Sequence, residues 1–209
     1  MYVIHIPCGF TKKNSSSENK EEWIKGLYPS VYNYLIRTEE ELSKSRGKKS
    51  KGLYQRDDKG DFWWELRSCN YMDDFNKQKI IYPETTQGAY FALDNNNYYL
   101  DKTCFMMTGK HLKYLLGTLS SVLFEYAYKN IFTSIELGKG GYQYNKYSLL
   151  KLPIYYPTKN EEKIVEEIID KIVLGKGSDY TKKLDDYIFS IYGITEKEKE
   201  EIFKFAKNS

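Results

Sequence analysis

The stretch RDDKGDFWWELRSCNYMDDFNKQKIIY, from Arg56 to Tyr82, places a basic, glycine-containing turn before an aromatic pair and a lysine-led strand. From Lys79 to Thr108 the chain is rich in β-branched and aromatic residues, and it is interrupted at Gly88 and at an asparagine cluster. Residues of the first kind favour strands, while glycine and asparagine favour turns. The pattern predicts several short strands joined by tight turns.

Outside this stretch, the spacing of apolar residues predicts two core helices, one from Tyr28 to about Ser43 and one from His111 to about Asn130. The opening residues are less regular. Tyr2 to Ile6 alternates apolar and polar positions and predicts a short strand, whereas Thr11 to Glu22 is polar and serine-rich and predicts a loop.

The last fifty or so residues show only helical signals. Thr158 with Glu161, and Thr195 with Glu198, have the spacing of capping boxes, and a further helix is predicted between them after a linker at residues 176–178. We therefore predict an α+β fold: a twisted, mostly antiparallel sheet packed with helices over residues 1–157. A C-terminal helical segment, 158–209, would pack on it or extend from it.

The Arg56–Tyr82 stretch resembles the core signature of a DNA target-recognition domain. It is similar to the run R-x-D-K-G, ELR-x-C-x-Y and F-x-K-x-KI of the TaqI-like C-terminal specificity domain, found in type IIG restriction-modification enzymes and adenine-specific DNA methyltransferases. The later segments KYLLGTLSSVLFEY from Lys113 and LLKLPIYYP from Leu149 extend the resemblance, which runs from about Tyr28 to the end.

This resemblance implies a specificity domain that binds duplex DNA. It would clamp the duplex against a methyltransferase domain lying N-terminal to it in the same polypeptide or in a partner subunit, and its sequence reading would also direct a nuclease. The chain alone would then have no catalytic activity. S-adenosylmethionine and magnesium are expected for the full enzyme and not for this chain.

Charge is unevenly distributed along the chain, whose formal net charge is +3. Residues 158–209 carry ten Lys against twelve Asp and Glu, so residues 1–157 carry an excess of positive charge. The run from Leu42 to Arg56 holds six basic residues and no acid. Such a run is the electrostatic footprint of an element that faces phosphates.

Three places combine basic side chains with the amides and hydroxyls that read base edges: the basic loop, the turn from Glu84 to Gly88, and the segment from Lys139 to Lys146. The candidate DNA-binding residues in these places are Lys44, Arg46, Lys48, Lys49, Lys51, Arg56, Thr85, Thr86, Gln87, Lys139, Gln143, Asn145 and Lys146. Tyr142 and Tyr144 could pack on sugars or thymine methyls, although alternating strand tyrosines more often divide between core and surface.

Catalytic motifs are missing from the sequence. It has neither the Asn/Asp-Pro-Pro-aromatic motif nor a glycine-rich cofactor loop after a buried strand, both of which adenine methylation of a flipped base requires. Three cysteines without metal-ligand spacing predict free thiols in a reducing cytoplasm, with no metal site. A mean hydropathy of −0.66 and the lack of a long apolar run exclude a membrane protein.

Three alternatives stay open. A half-length type I specificity subunit would need one long spacer helix after Pro157, and Gly175 and Gly177 interrupt that segment. A metal-dependent nuclease domain could use carboxylates and lysines of the central stretch, namely Glu65, Asp73, Asp74, Glu84, Lys77 and Lys79. A protein-interaction module is the third alternative.

Overall fold

The computed structural model describes residues 3–45, 52–133, 136–138, 140–175 and 177–208. The chain divides into two compact units, Met1–Met72 and Asp73–Ser209. The domain boundary predicted at residue 157 stays a prediction, and no sequence signal indicated a division near Met72. Among the described residues, no helix has both the length and the apolar character needed to cross a membrane.

The first unit is helical at its N-terminal end. Its helices are α1 (Phe10–Asn14), α2 (Lys20–Leu27) and α3 (Pro29–Ser45). The helix predicted from Tyr28 is confirmed, but the predicted loop from Thr11 to Glu22 is wrong, and residues 3–6 form no strand. The Asn19 side chain caps α2 by accepting a hydrogen bond from the Glu22 N–H at 3.1 Å, so a local signal starts this helix despite its polar surroundings.

The charged turn that opens the Arg56–Tyr82 stretch folds around the side chain of Glu65. This side chain is fully buried, and its two carboxylate oxygens accept hydrogen bonds from the N–H groups of Gly9, Thr11 and Asp61 at 3.1, 2.8 and 3.1 Å. A Cβ at Gly60 would lie 2.7 Å from the Leu66 carbonyl oxygen, so only glycine fits there. The turn is thereby tied to the N-terminal segment.

The second unit contains two small antiparallel sheets, each with three strands among the described residues. The first has the order β3-β1-β4, from β1 (Lys79–Pro83), β3 (Ala92–Asp94) and β4 (Cys104–Met107). The second has the order β2-β6-β5, from β2 (Thr85–Thr86), β5 (Glu136–Leu137) and β6 (Gly141–Gln143). These strands confirm the predicted α+β class.

The helix predicted from His111 to Asn130 is broken into three pieces: α4 (Leu112–Ser120), α5 (Val122–Ala127) and a π-helical turn, Tyr128–Phe132. At the break, the Ser121 side chain caps α5 by accepting from the Phe124 N–H, and Asp185 accepts from the Val122 N–H at 2.8 Å. These two side chains replace helical hydrogen bonds at the break. The apolar periodicity continues across it, so the sequence pattern predicted one helix.

The C-terminal helices belong to the core of the second unit. The helix α6 (Lys146–Leu149) precedes α7 (Lys159–Val173), α8 (Gly177–Ile191) and α9 (Glu196–Asn208). The predicted capping box at Thr158 and Glu161 is confirmed, and Thr195 pairs with Glu198 in the same way. A Cβ at Gly117 in α4 would lie 2.6 Å from Val165 in α7, so the small residue permits this close approach.

Replacing Asp185 with Asn is expected to stabilise the chain at neutral pH. The pKa of Asp185 is raised from 3.8 to about 6, chiefly by burial and further by the charges of Asp186 and Glu125, against the hydrogen bond from Val122. The folded state therefore binds a proton that the unfolded chain releases, and the free energy of unfolding falls as pH rises from about 4 to about 6.

The amide introduced by this substitution would still accept from Val122 without a buried charge, so D185N should gain about 2 kcal/mol at pH 7 and lose this pH dependence. Urea unfolding at several pH values measures both effects. Asp186 is exposed, so D186N serves as the matched control and should change stability little. A D185N variant that is less stable than the parent at pH 7 would contradict the expectation.

Candidate nucleic-acid interface

Two of the three places predicted to contact DNA lie side by side in the second unit. Strand β2 pairs with β6 in antiparallel register, with Thr85 opposite Gln143 and Thr86 opposite Tyr142. The ladder continues beyond the strands, because the Tyr144 N–H donates to the Glu84 carbonyl oxygen at 2.8 Å. Two segments far apart in sequence thus form one continuous surface.

The two faces of β6 differ in character. Tyr142 and Tyr144 are each only 2% exposed, and their hydroxyls lie 3.2 Å apart within the core. Burial raises the pKa of both phenols. Residues two apart in a strand share a face, so Gln143, between them, lies on the opposite side. The two tyrosines are therefore core residues, and Gln143 is the side chain that this strand offers to a ligand.

Gln143 is held in place by Glu84. Its Nε2 donates to Glu84 Oε1 at 2.7 Å, and its backbone carbonyl oxygen accepts from the Tyr128 hydroxyl at 2.8 Å. Neutral amides can pair with a base edge through both a donor and an acceptor. A fixed amide at the surface is suited to this, because less side-chain freedom is lost on binding.

One lysine contacts these segments from the Tyr142 side of β6, with only 11% of its side chain exposed, and a second follows Gln143 by three residues. The Lys129 Nζ donates to the Gln87 carbonyl oxygen at 3.0 Å, lies 2.9 Å from Glu125 Oε1, and sits 5.0 Å from the centroid of the Tyr142 ring. Lys146 is exposed at the start of α6. We name the set Thr85, Gln87, Lys129, Gln143 and Lys146 the β2–β6 surface.

Two of the predicted residues in these segments have their polar atoms engaged by the fold. Thr86 is 5% exposed, and its hydroxyl donates to the Gly88 carbonyl at 2.7 Å and accepts from the Gly88 N–H at 3.2 Å. Asn145 caps α6 by accepting from the Ser148 N–H at 2.9 Å. These bonds favour structural roles, and direct contact of either residue with DNA stays a prediction.

The third predicted place belongs to the first unit. Lys44 is exposed in the last turn of α3. The Arg56 guanidinium donates to the Glu65 carbonyl oxygen at 2.6 Å, lies 3.9 Å from the Asp58 carboxylate, and is 21% exposed, so it serves mainly to hold the turn. The other predicted residues, Arg46, Lys48, Lys49, Lys51 and Lys139, lie outside the described residues.

The carboxylates and lysines weighed for a nuclease are engaged in separate interactions. Glu65 accepts three backbone N–H groups, Asp74 pairs with Lys77 at 2.7 Å, and Lys79 pairs with Asp94. Within the described residues, Cys8, Asp61 and Glu65 form a group of possible metal ligands, with ligand atoms within 4.8 Å of one another. Because the Glu65 oxygens already accept hydrogen bonds from N–H groups, this group is explained as a structural link between the N-terminal segment and the charged turn.

The sequence did not single out Lys129 or the role of Glu84 beside Gln143. Lys129 follows Glu125 by four residues, a spacing typical of a helix salt bridge, and no other local signal marked it. Its proximity to Gln87 depends on the pairing of distant segments, which neither residue indicates alone.

The chain matches the family model of the TaqI-like C-terminal specificity domain over residues 10–154. The match covers well over half of the chain, so the protein belongs to this family, and the resemblance drawn from the Arg56–Tyr82 stretch is confirmed. A specificity domain of this kind supplies DNA sequence recognition in restriction-modification systems. No curated protein matches the chain.

Proposed function

We propose that this chain recognises a specific sequence in duplex DNA through the β2–β6 surface, as the specificity domain of a type IIG restriction-modification enzyme. The observation that carries this proposal is the register that places Thr85 opposite Gln143, in segments where Lys129 binds the Gln87 carbonyl and Lys146 is exposed. Lysines bind phosphates and set the position of the protein, while amides and hydroxyls read base edges.

Within such an enzyme, the adenine-specific methyltransferase and the endonuclease would be separate domains that bind S-adenosylmethionine and magnesium. The chain itself would act in the cytoplasm and would neither methylate nor cut DNA. Support for this division comes from the sequence, which has no Asn/Asp-Pro-Pro-aromatic motif to hold a flipped adenine.

The C-terminal helices favour a type IIG arrangement over a half-length type I subunit. Helix α7 ends at Val173, and Val165 and Ile169 of α7 share a core with Leu184 and Ile188 of α8. A helix pair folded on itself in this way differs from the single long helix that a type I spacer needs.

A binding titration tests the proposal. A preferred duplex is first selected from a randomised pool at low salt, and affinity is then measured by fluorescence anisotropy at several salt concentrations. If about six phosphates are contacted, affinity should fall by orders of magnitude between roughly 50 and 200 mM salt. Gln143→Ala should lose roughly 1 to 3 kcal/mol on the selected duplex and little on a scrambled one.

Lysine variants distinguish residues that bind phosphates from residues that read base edges. Lys146→Ala should weaken binding about equally on both duplexes and flatten the salt slope by about one unit. Lys182→Ala, an exposed lysine on α8, is the matched control and should leave binding unchanged. If Q143A binds the selected duplex as well as the parent does, the reading surface lies elsewhere. Transfer of a labelled methyl group by the pure chain would overturn the non-catalytic assignment.

A further inference from the structure

An apolar groove of about 670 Å³ lies in the second unit, beside strand β4. One wall consists of Phe105, Met106 and Met107 of β4, and the opposite wall includes Leu150 and Ile154. Leu150 is 72% exposed, and Phe105 and Ile154 are each 38% exposed. A concave, mostly apolar site of this volume is typical of a ligand-binding site.

The groove follows the free edge of a sheet. In the order β3-β1-β4, β4 pairs with β1 on one side only, and no strand among the described residues pairs with its other side. Phe105 lies opposite Tyr82 and Met107 opposite Ile80, while Met106 lies on the other face. The groove touches all three successive residues of β4 and also Tyr82 of β1, so it covers the Tyr82–Phe105 face and reaches the free edge of the strand.

Backbone direction shows what the edge can bind. The Glu84 N–H donates to the Thr103 carbonyl oxygen at 2.8 Å, so the Thr103 carbonyl is directed at β1, while the Thr103 N–H donates to the Asp101 carboxylate at 2.8 Å. Because direction alternates along an antiparallel strand, Phe105 and Met107 also face β1, whereas Met106 directs its N–H and C=O outward. Outward backbone groups beside an apolar groove suit an extended polypeptide, which supplies both hydrogen bonds and apolar side chains.

Charge determines which polypeptide fits. Lys102 and Lys110 are exposed on either side of β4, and Lys146 lies at the groove. A second copy of β4, paired antiparallel about Met106, would bring Lys102 opposite Lys110 of the other copy, and like charges placed opposite each other destabilise a strand pair. Exposed Asp101 lies beside Lys102, but the three lysines outnumber it, so the surroundings of the groove carry net positive charge and favour a segment with acidic residues at its ends.

We propose that an extended polypeptide segment, apolar in its centre and acidic at its ends, binds as an added strand along β4 and fills the groove. This site is separate from the β2–β6 surface proposed to contact DNA, apart from Lys146. If the proposed function holds, the methyltransferase polypeptide is the natural source of such a segment. The site itself requires only the groove, the outward backbone of Met106 and the flanking lysines.

The test uses the full chain and a labelled peptide of alternating Val and Thr with Glu at each end. Anisotropy should show saturable binding to the parent chain, and weaker binding of a matched peptide with Lys at each end. Met106→Pro removes the outward N–H, which edge strands tolerate. It should weaken peptide binding about tenfold relative to Met106→Ala, which keeps the N–H. A peptide N-methylated at alternate residues lacks the N–H that would donate to the Met106 carbonyl, so it should also bind more weakly, and it tests the strand pairing without altering the protein.

Charge reversal gives an independent check. The double variant Lys102→Glu with Lys110→Glu should exchange the preference, binding the Lys-ended peptide about tenfold better than the Glu-ended one. Equal binding of both peptides by parent and variant would overturn the proposal, as would concentration-dependent dimerisation through β4 in sedimentation. Met106→Pro should leave DNA affinity unchanged, so failure here is distinguishable from failure of DNA recognition.

Discussion

Replacing Glu65 with Ala is expected to unfold the first unit under mild conditions. The substitution leaves the N–H groups of Gly9, Thr11 and Asp61 without the carboxylate that binds them in the folded unit. Each buried polar group that loses its partner costs about 1 to 3 kcal/mol. The Thr11 bond is buried and the Gly9 and Asp61 bonds are partly buried, so we expect a loss of about 2 to 4 kcal/mol in the free energy of unfolding, a large part of the stability of a small unit.

Tryptophan emission can follow the unfolding of the first unit. All three tryptophans, Trp23, Trp63 and Trp64, lie in the first unit, so their emission during urea unfolding reports this unit alone. Asp61→Asn is the matched control: Asp61 makes an ion pair with Lys12 at 3.1 Å on the surface, which contributes little. An E65A variant with the parent's unfolding midpoint would show that water replaces the carboxylate without cost.

Local sequence signals predicted part of the fold well. The capping pairs Thr158–Glu161 and Thr195–Glu198 are formed as expected, because the donors and acceptors lie within one helical turn. Helix α2 was missed although Asn19 precedes Glu22 by three residues, since the serine-rich composition around it favoured a loop. The break at Ser121 could not be predicted, because the Asp185 side chain that supports it comes from a distant helix.

The sequence predicted the two segments of the candidate site but not the surface that they form together. The residue types around Thr85 and Gln143 indicated base recognition, but their pairing across β2 and β6 is a long-range contact that one sequence does not encode locally. The sequence also left open where the strand tyrosines lie. Tyr142 and Tyr144 share one face of β6, and that face is buried, so the side chain between them is the one directed away from the core.

A second large effect is expected at Lys79, whose ammonium group is fully buried against Asp94 in the first sheet. Lys79 lies directly opposite Asp94 in the β1–β3 register, and its Nζ also donates to the Phe75 carbonyl at 2.8 Å. Burial raises the pKa of Asp94, but hydrogen bonds from Lys79 and from the N–H groups of Asn96 and Tyr98 outweigh it and hold this pKa below 3.8. The pair therefore contributes stability at neutral pH that is lost as pH falls through the pKa of Asp94.

Lys79→Met should lower the free energy of unfolding by about 3 to 5 kcal/mol, because it leaves a buried carboxylate without its counterion. Circular dichroism during urea unfolding should show the loss while tryptophan emission, which reports the first unit, changes less. Lys77→Met is the matched control, since Lys77 pairs with Asp74 at the surface and its loss should change stability little. Adding Asp94→Asn to Lys79→Met removes the stranded charge while keeping an acceptor for Asn96 and Tyr98. The double variant should therefore be more stable than Lys79→Met alone, and equal stability of the two would show that the charge itself is not what makes the single substitution costly.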